Sequence, residues 1–291
     1  MKMITKLTKK LSEYIWLNGE FVKHDEAMIH VLTHSLHYSG AVYEGARAYN
    51  GKVFLLQEHI ERLFASAKAM KLNINYSVAD IMQITDDVLT KNNLSNAYIR
   101  PLVWRGDESI NIFNEKLKTN IMIAAVDSKP EFNNGFKLNI SPWRKIPPQS
   151  FPLQCKSSSQ YALATVNNNA AMSQGFDDSI SLDIDDYIAE CSVSNIFFAK
   201  DKQIVTPKAD KFFNGLTRQA VIKMTKNLGF EVIETRLKLQ DINKFDCCFL
   251  TGTAKEITGV SLIDCGEQKI NFANDQLTKD LQKEFAKMVG R

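Results

Sequence analysis

Tyr14-Ile15-Trp16-Leu17-Asn18-Gly19-Glu20-Phe21-Val22 places an Asn-Gly pair between two apolar runs. Asparagine and glycine both tolerate the positive φ angles of a tight hairpin turn, so this pattern predicts a β-hairpin. The pattern recurs where Asn50-Gly51 separates Ala41–Tyr49 from Lys52–Leu56. Two hairpins near the N-terminus predict a sheet in which most strands pair antiparallel.

The segment after the second hairpin has helical periodicity. A helix is predicted from Glu58 to Leu72, because its apolar residues recur at three- and four-residue spacing. A second helix is predicted from Ser77 to Lys91, since Asp80 stands three residues after Ser77 in the arrangement of a capping box. Strands at 97–104 and 120–126 complete an α+β domain.

The polar, turn-rich stretch from Ser128 to Gly135 indicates a boundary between domains. We therefore predict a small N-terminal α+β domain at 1–128, a linker at 129–135 and a large C-terminal α+β domain at 136–291. Two such domains leave a cleft, which is a favoured place for a small-molecule site. In the second domain we predict six strands and three helices: strands at 136–141, 179–183, 195–199, 203–206, 231–235 and 247–250, and helices at 158–174, 217–228 and 275–289.

The composition excludes several classes of protein. The 291 residues are 44% hydrophobic and carry a formal net charge of +3, which indicates a globular protein and no nucleic-acid partner. No apolar run is long enough to predict a membrane span, and Met1–Leu11 is basic without the apolar stretch of a signal peptide. The odd number of cysteines without a Cys-x-x-Cys pair predicts free thiols in the cytoplasm: Cys155, Cys191, Cys247, Cys248 and Cys265.

The sequence does not support two further kinds of site. His30, His34 and His37 have helical spacing, but residues 27–36 favour a strand and a turn, so no metal site is predicted. A cysteine hydrolase needs a histidine base, and every histidine precedes residue 60. Nothing near Cys155 or Cys191 supports such a pairing.

Two charged residues stand in unusual surroundings. Lys156 precedes a predicted helix and could act as a nucleophile if it were deprotonated, or could be an ordinary solvated lysine. Glu190 lies among small and apolar residues between two predicted strands, where a carboxylate needs a partner to stay charged. That partner could be a cationic ring nitrogen or simply a lysine.

Two short segments could bind a phosphate. Gly215-Leu216-Thr217-Arg218 enters a predicted helix, whose first backbone N–H groups can hold an anion. Thr251-Gly252-Thr253-Ala254 ends a strand with small residues that permit close approach of an anion to the backbone. Each segment alone is also compatible with an ordinary helix cap or turn.

Together these segments resemble one family across nearly the whole chain. The order and content of the motifs are similar to those of branched-chain amino-acid aminotransferases of the fold-type-IV pyridoxal-phosphate class. The resemblance implies a two-domain α+β fold like that of D-amino-acid aminotransferase, with the active site in the interdomain cleft. The matching segments, besides those already quoted, are His34-Ser35-Leu36-His37-Tyr38, Tyr43-Glu44-Gly45-Ala46-Arg47, Tyr98-Ile99-Arg100-Pro101-Leu102, Lys156 with Tyr161, Glu190 with Asn195, and Thr251 to Ile257.

The resemblance implies a set of residues that bind pyridoxal 5′-phosphate. Lys156 would carry the covalent link to the cofactor and move the proton of the substrate. Glu190 would face the pyridine nitrogen and keep it protonated, so that the ring accepts electrons. Tyr161 would donate to the phenolic oxygen, and Asn195 belongs to the same set. The phosphate would be held by Arg62, by the N–H groups of Leu216 and Thr217, and by Thr253.

The resemblance also implies the reaction, which is transamination of leucine, isoleucine and valine with 2-oxoglutarate to give branched 2-oxo acids and L-glutamate. Tyr98 and the backbone at Thr253 and Ala254 would hold the α-carboxylate of the substrate. Arg100 would meet the distal carboxylate of glutamate, for which a bidentate guanidinium is suited. The remaining residues expected at the substrate are Tyr38, Tyr43, Arg47 and Tyr161.

Two stretches depart from the family pattern. Arg105–Ile112 lacks the glycine-rich run that relatives commonly extend into a neighbouring subunit, and Ser157–Gln160 replaces residues that are often small in relatives. A D-amino-acid aminotransferase, an aminodeoxychorismate lyase and a catalytically silent binding protein on the same fold remain alternatives. The resemblance further implies a homodimer or a dimer-based hexamer.

Overall fold

The computed structural model describes residues 12–113, 116–129, 134–273 and 275–291. Met1–Leu11, considered above for a signal peptide, and residues 130–133 of the predicted linker lie outside this range. The chain divides into two compact units. The first unit contains the described residues within Met1–Pro130 together with Cys155–Ser159, and the second contains the described residues within Glu131–Gln154 and Gln160–Arg291. The domain limits predicted above, and an active site in a cleft, stay predictions.

The first unit is built on a sheet of seven strands among the described residues, all paired antiparallel. Its strands are β1 (Tyr14–Leu17), β2 (Glu20–Lys23), β3 (Ala41–Tyr43), β4 (Ala46–Tyr49), β5 (Lys52–Val53), β6 (Ala97–Arg105) and β7 (Thr119–Asp127). The order is β2-β1-β7-β6-β4-β5, and β3 also pairs with β6. Asn18 and Gly19 both have positive φ, which confirms the first hairpin and its turn.

The second hairpin differs from its prediction. The strand predicted over Ala41–Tyr49 is interrupted at Glu44-Gly45, and the returning strand ends at Val53 rather than Leu56. At the interruption the backbone N–H of Glu44 bonds to the carbonyl of Pro101, while its side chain binds buried partners described below. A buried ion-pairing carboxylate therefore breaks a segment whose sequence pattern is that of a continuous strand.

Three α-helices among the described residues of the first unit pack against this sheet. α1 (His34–Tyr38), α2 (Leu56–Ala69) and α3 (Val78–Lys91) follow in chain order, and α2 and α3 pack on each other. The predicted capping box of α3 is confirmed, since Ser77 accepts from the backbone of Asp80 and the Asp80 side chain accepts in return. The strand predicted within 27–36 is wrong, because this segment contains a turn at Val31 and Leu32 but no strand, and its last residues begin α1.

The second unit contains a mixed sheet of nine strands among the described residues, in the order β10-β9-β8-β15-β14-β11-β12-β13, with β16 on β15. The strands are β8 (Phe136–Ile140), β9 (Asp178–Leu182), β10 (Ile188–Cys191), β11 (Asn195–Lys200), β12 (Gln203–Pro207), β13 (Glu231–Thr235), β14 (Cys247–Gly252), β15 (Glu256–Asp264) and β16 (Lys269–Asn271). The helices are α4 (Gln160–Ser173), α5 (Leu216–Asn227) and α6 (Gln276–Met288). The six predicted strands and three predicted helices are confirmed to within a few residues, whereas β10, β15 and β16 were not predicted.

The segment from Cys155 to Ser159 lies in the middle of the second unit's sequence but belongs to the first unit. Ser157 forms an isolated antiparallel bridge with Val42 of β3. The backbone N–H of Ser158 donates to the carbonyl of Ala41, and its hydroxyl donates to the carbonyl of Ser39. This segment is therefore a short extension of the first sheet.

Candidate active site

Lys156 is held by backbone contacts on both sides of the residue. Its carbonyl accepts a hydrogen bond of 3.1 Å from the N–H of Tyr43, and its own N–H donates to the hydroxyl of Ser66 on α2 at 2.9 Å. The following residue, Ser157, is wholly buried. The backbone of Lys156 is thus fixed against β3 and α2, which leaves the position of the amine to the side-chain torsions.

The amine of Lys156 lies beside an aromatic and cationic group of residues. Its Nζ is 5.3 Å from the centre of the Tyr43 ring, and the guanidinium carbon of Arg100 is 4.4 Å from the same centre. Arg100 donates a hydrogen bond of 2.8 Å to the hydroxyl of Tyr98. Tyr98 and Arg100 share one face of β6 because side chains alternate along a strand. The structure thus brings four of the predicted site residues together.

Gly45 makes room for this group. A Cβ atom on Gly45 would collide with the hydroxyl of Tyr98 and would lie 2.9 Å from its ring carbon Cζ. The predicted Tyr-Glu-Gly motif therefore has a steric basis, because only glycine lets the backbone between β3 and β4 pass so close to Tyr98.

Arg62 takes part in a buried charged triad with Glu44 and His59. Arg62 donates from Nε and Nη2 to the two oxygens of Glu44 at 2.6 and 2.8 Å, and Nδ1 of His59 lies 2.7 Å from Oε2. Burial by itself raises the pKa of Glu44, but the charge of Arg62 and the hydrogen bonds lower it to about 2. Burial lowers the pKa of His59 and outweighs the opposing effect of Glu44. At neutral pH the triad is a carboxylate, a guanidinium and a neutral imidazole.

Glu190 lies on β10, not in a loop between strands as predicted. Its Oε1 forms an ion pair of 2.8 Å with Nζ of Lys145, and its Oε2 accepts from Nδ2 of Asn195 at 3.1 Å. The lysine pairing that the sequence left open is thus present. Lys145 was not identified from the sequence, because it is far from Glu190 along the chain and stands in a segment without a periodic pattern.

Asn195 also fixes the start of α5. Its Nδ2 donates to the carbonyl of Phe213, and its Oδ1 accepts from the N–H of Gly215, at 3.0 and 3.2 Å. A Cβ on Gly215 would lie 2.5 Å from Oδ1, so this approach requires glycine. Asn195 on β11 also pairs with Thr251 on β14. Glu190, Asn195 and the predicted phosphate segments at 215 and 251 therefore lie side by side within the second unit.

Other predicted site residues have the following places. Arg47 is buried and donates to the carbonyls of Ser128 and Lys129, which ties it to the end of the first unit. Tyr38 is exposed and donates to the carbonyl of Ile110.

Further predicted site residues lie in the second unit. Tyr161 stands in the first turn of α4. Thr217 is buried in the first turn of α5, and Thr253 with the exposed Ala254 lies in the turn after β14. Their roles stay predictions.

Sequence reasoning missed His59 and Ser66. Both are polar residues on the buried face of α2, at positions where an amphipathic helix normally carries apolar side chains. A polar residue at such a position is a signal that could have identified them. In the described ranges, no group of three histidine, cysteine or acidic side chains is arranged to hold a metal ion. No helix in the same ranges is long and apolar enough to cross a membrane.

A buried acid, a fixed lysine and the start of a helix beside small residues are features that the sequence predicted for an enzyme with a phosphorylated cofactor. The amino-transferase class IV family matches residues 41–263, and the chain belongs to that family. A probable branched-chain-amino-acid aminotransferase of Rickettsia felis is 50% identical over 277 residues, covering 95% of this chain and 96% of that protein.

Solved structures agree with this placement. The structure of the branched-chain amino acid aminotransferase of Escherichia coli matches with a TM-score of 0.90 and 34% identity, over 96% of this chain and 95% of that chain. The T.th. enzyme of the same name with pyridoxamine 5′-phosphate matches with a TM-score of 0.90 and 30% identity, over 96% and 94% of the two chains. Its complex with N-(5′-phosphopyridoxyl)-L-glutamate matches at 0.89 and 31% identity, over the same shares.

Proposed function

We propose that this chain is a branched-chain-amino-acid aminotransferase that uses pyridoxal 5′-phosphate. It transfers the amino group of leucine, isoleucine or valine to 2-oxoglutarate and gives L-glutamate. The similarity to enzymes of that name over nearly the full length of both chains supports this function. The observation in the structure that carries it is the fixed lysine, Lys156, beside Tyr43 and Arg100.

The polar groups of the candidate site are of the kinds that the cofactor requires. Glu190 is a buried acidic residue that bonds to Lys145 and Asn195, and an acidic side chain is a suitable partner for a protonated ring nitrogen. The backbone N–H groups at the start of α5 suit a phosphate. Among the described residues, the hydroxyls of Ser192 and Thr251 are buried without a hydrogen-bond partner, which indicates room for a polar ligand nearby.

Each of the proposed cofactor-binding residues has a separate role. Bound pyridoxal 5′-phosphate supplies an electron-accepting ring that makes the Cα proton of an amino acid removable. Lys156 holds the cofactor and moves that proton, and Glu190 holds the positive charge on the ring nitrogen. Arg62, the N–H groups of Leu216 and Thr217, and Thr253 bind the phosphate. Tyr161 donates to the phenolic oxygen.

One pocket must accept both an aliphatic side chain and a carboxylate. The ring of Tyr43 offers an apolar surface, while the guanidinium of Arg100 beside it can pair with the distal carboxylate of glutamate. Tyr98 orients Arg100 through its hydroxyl, and the backbone at Thr253 and Ala254 holds the α-carboxylate. Tyr38 and Arg47 complete the proposed set.

The test combines chemical trapping with a donor panel. Borohydride reduction of the purified protein with pyridoxal 5′-phosphate is expected to fix the cofactor on Lys156, which peptide mass spectrometry locates. L-Leucine with 2-oxoglutarate should give L-glutamate, Lys156→Ala should abolish turnover, and Lys68→Ala, an exposed lysine on α2, should not. Labelling of another lysine, or turnover with D-alanine instead of L-leucine, would contradict the proposal.

We further propose that the protein is a homodimer or a dimer-based hexamer. An exposed apolar surface of the first unit, here called the apolar surface, supports this assembly, since contiguous patches of this kind mark interaction sites. The surface consists of two chain segments, 28–36 and 110–113. They are joined by hydrogen bonds of His34 to the carbonyl of Ile112 and of Tyr38 to the carbonyl of Ile110. It consists of Met28, Ile29, Val31, Leu32, Leu36, Ile110, Ile112 and Phe113.

We propose that the enzyme works in the cytoplasm. Among the described residues, Cys191, Cys247, Cys248 and Cys265 are free thiols, and the first three are buried. Unpaired thiols are typical of a reducing compartment. Its proposed small-molecule partners are branched-chain amino acids, glutamate and 2-oxo acids.

A further inference from the structure

The Arg62–Glu44–His59 triad has a geometry that its contribution to stability does not explain. Glu44 is wholly buried and accepts three short hydrogen bonds, two from Arg62 and one from His59. Replacing a buried ion pair by apolar residues is often neutral or stabilising, so such a pair is weak evidence of a role in stability alone. A role in orienting one of its members accounts better for the arrangement.

Glu44 fixes the plane of the Arg62 guanidinium. Because both Nε and Nη2 are bound to the same carboxylate, the guanidinium cannot rotate about its last torsion without breaking a charge-assisted bond. This also fixes the direction of Nη1. His59 in turn fixes the carboxylate, because its Nδ1 lies 2.7 Å from Oε2.

The same helix face connects the triad to the lysine. His59, Arg62 and Ser66 stand at positions i, i+3 and i+7 of α2, which places them on one side of the helix. Ser66 accepts from the backbone N–H of Lys156, and the charge of Lys156 is among the causes that lower the pKa of His59. The guanidinium and the lysine are therefore set relative to each other within one unit.

We infer that Glu44 and His59 are positioning residues that hold the guanidinium of Arg62 in the orientation that binds the cofactor's phosphate. The inference rests on the proposed function, in which Arg62 binds that phosphate. Neither residue needs to touch the cofactor, since both act through Arg62. Their removal is expected to weaken the affinity for pyridoxal 5′-phosphate and leave the KM for L-leucine nearly unchanged.

The first test measures the dissociation constant of pyridoxal 5′-phosphate by titrating apoprotein, together with the melting temperature of the apoprotein. Glu44→Gln and His59→Leu should each weaken binding about tenfold or more. His59→Asn, whose amide can donate in place of Nδ1, should restore binding to within about threefold of wild type. Glu58→Gln, the same chemical change on the exposed side of α2, should have no effect.

The second test is a double-mutant cycle with Arg62→Lys. If Glu44 acts through Arg62, Glu44→Gln should cost less than about twofold in cofactor affinity when lysine already replaces the arginine. Additive losses would overturn the inference, as would wild-type affinity in both Glu44→Gln and His59→Leu. A fall in apoprotein melting temperature with unchanged affinity would assign the triad a merely structural role, again against the inference.

Failure of the proposed function gives a different result. In that case the wild-type protein itself neither binds the cofactor nor turns over L-leucine. When wild type does both, the variants decide on the positioning role alone.

Discussion

His59 makes the stability of the first unit sensitive to acid. Burial lowers the pKa of His59 below the ordinary value of 6.5. Just below that pH, His59 is therefore protonated in the unfolded chain but not in the folded chain. Stability should therefore fall as the pH drops below about 6.5. Protonation of Glu44 lowers the stability further once the pH falls below about 4.5, because folding lowers the pKa of this carboxyl group from 4.5 to about 2.

Thermal unfolding of the apoprotein at pH 7.5 and pH 5.5 checks this prediction. The melting temperature should be lower at pH 5.5, and His59→Asn should reduce the difference between the two values. His37→Asn replaces an exposed histidine and serves as the control. An undiminished difference in His59→Asn would show that another group is responsible.

At the scale of elements, the close approach of the backbone between β3 and β4 to Tyr98 depends on Gly45. In Gly45→Ala the new methyl group must displace Tyr98, which breaks its hydrogen bond to Arg100. Overpacking of this kind costs roughly 1–3 kcal/mol. The free energy of unfolding in urea should fall by that amount, and the KM for 2-oxoglutarate should rise several-fold.

Gly40→Ala is a matched control for this prediction. A Cβ at Gly40 would meet its nearest neighbours at 3.4 to 3.6 Å, an ordinary van der Waals distance or close to it. Equal losses of stability in the two variants would mean that the contact with Tyr98 is not the cause.

The elements that the sequence predicted well carry strong local signals. The Asn18-Gly19 turn and the Ser77 capping box are set by residues a few positions apart, and both are confirmed. The strand break at Glu44 depends on partners in α2, and β10 is short and holds a carboxylate neutralised by Lys145. Such partners are distant in sequence, so no local pattern reveals them.

The same distinction holds for the candidate site. Lys156 and Glu190 could be selected from the sequence because their motifs resemble those of a family, and the structure adds the partners that fix them. The predicted role of Arg47 at the substrate stays a prediction, and the structure adds its hydrogen bonds to the carbonyls of Ser128 and Lys129, which the motif did not indicate. A motif conveys which residues matter together, but it does not convey which of them contact one another.

At the scale of the whole molecule, the apolar surface predicts self-association. Val31 is 71% exposed and Phe113 is 95% exposed, which is costly for residues that face water permanently. Leu36→Asp combined with Phe113→Asp should shift the mass measured by analytical ultracentrifugation from oligomer to monomer. Ile184→Asp, an exposed apolar residue of the second unit, should leave the mass unchanged. A monomeric wild-type protein would contradict the proposed assembly.

The inclusion of Cys155–Ser159 in the first unit has a consequence for synthesis of the chain. A ribosome that has released only residues 1–130 has not yet supplied the segment that pairs with β3 and bonds to Ser66. The first unit can acquire its last strand contact only after Ser159 has emerged, when part of the second unit is already outside. A fragment cut after the linker would accordingly expose the edge of β3 and be prone to aggregate.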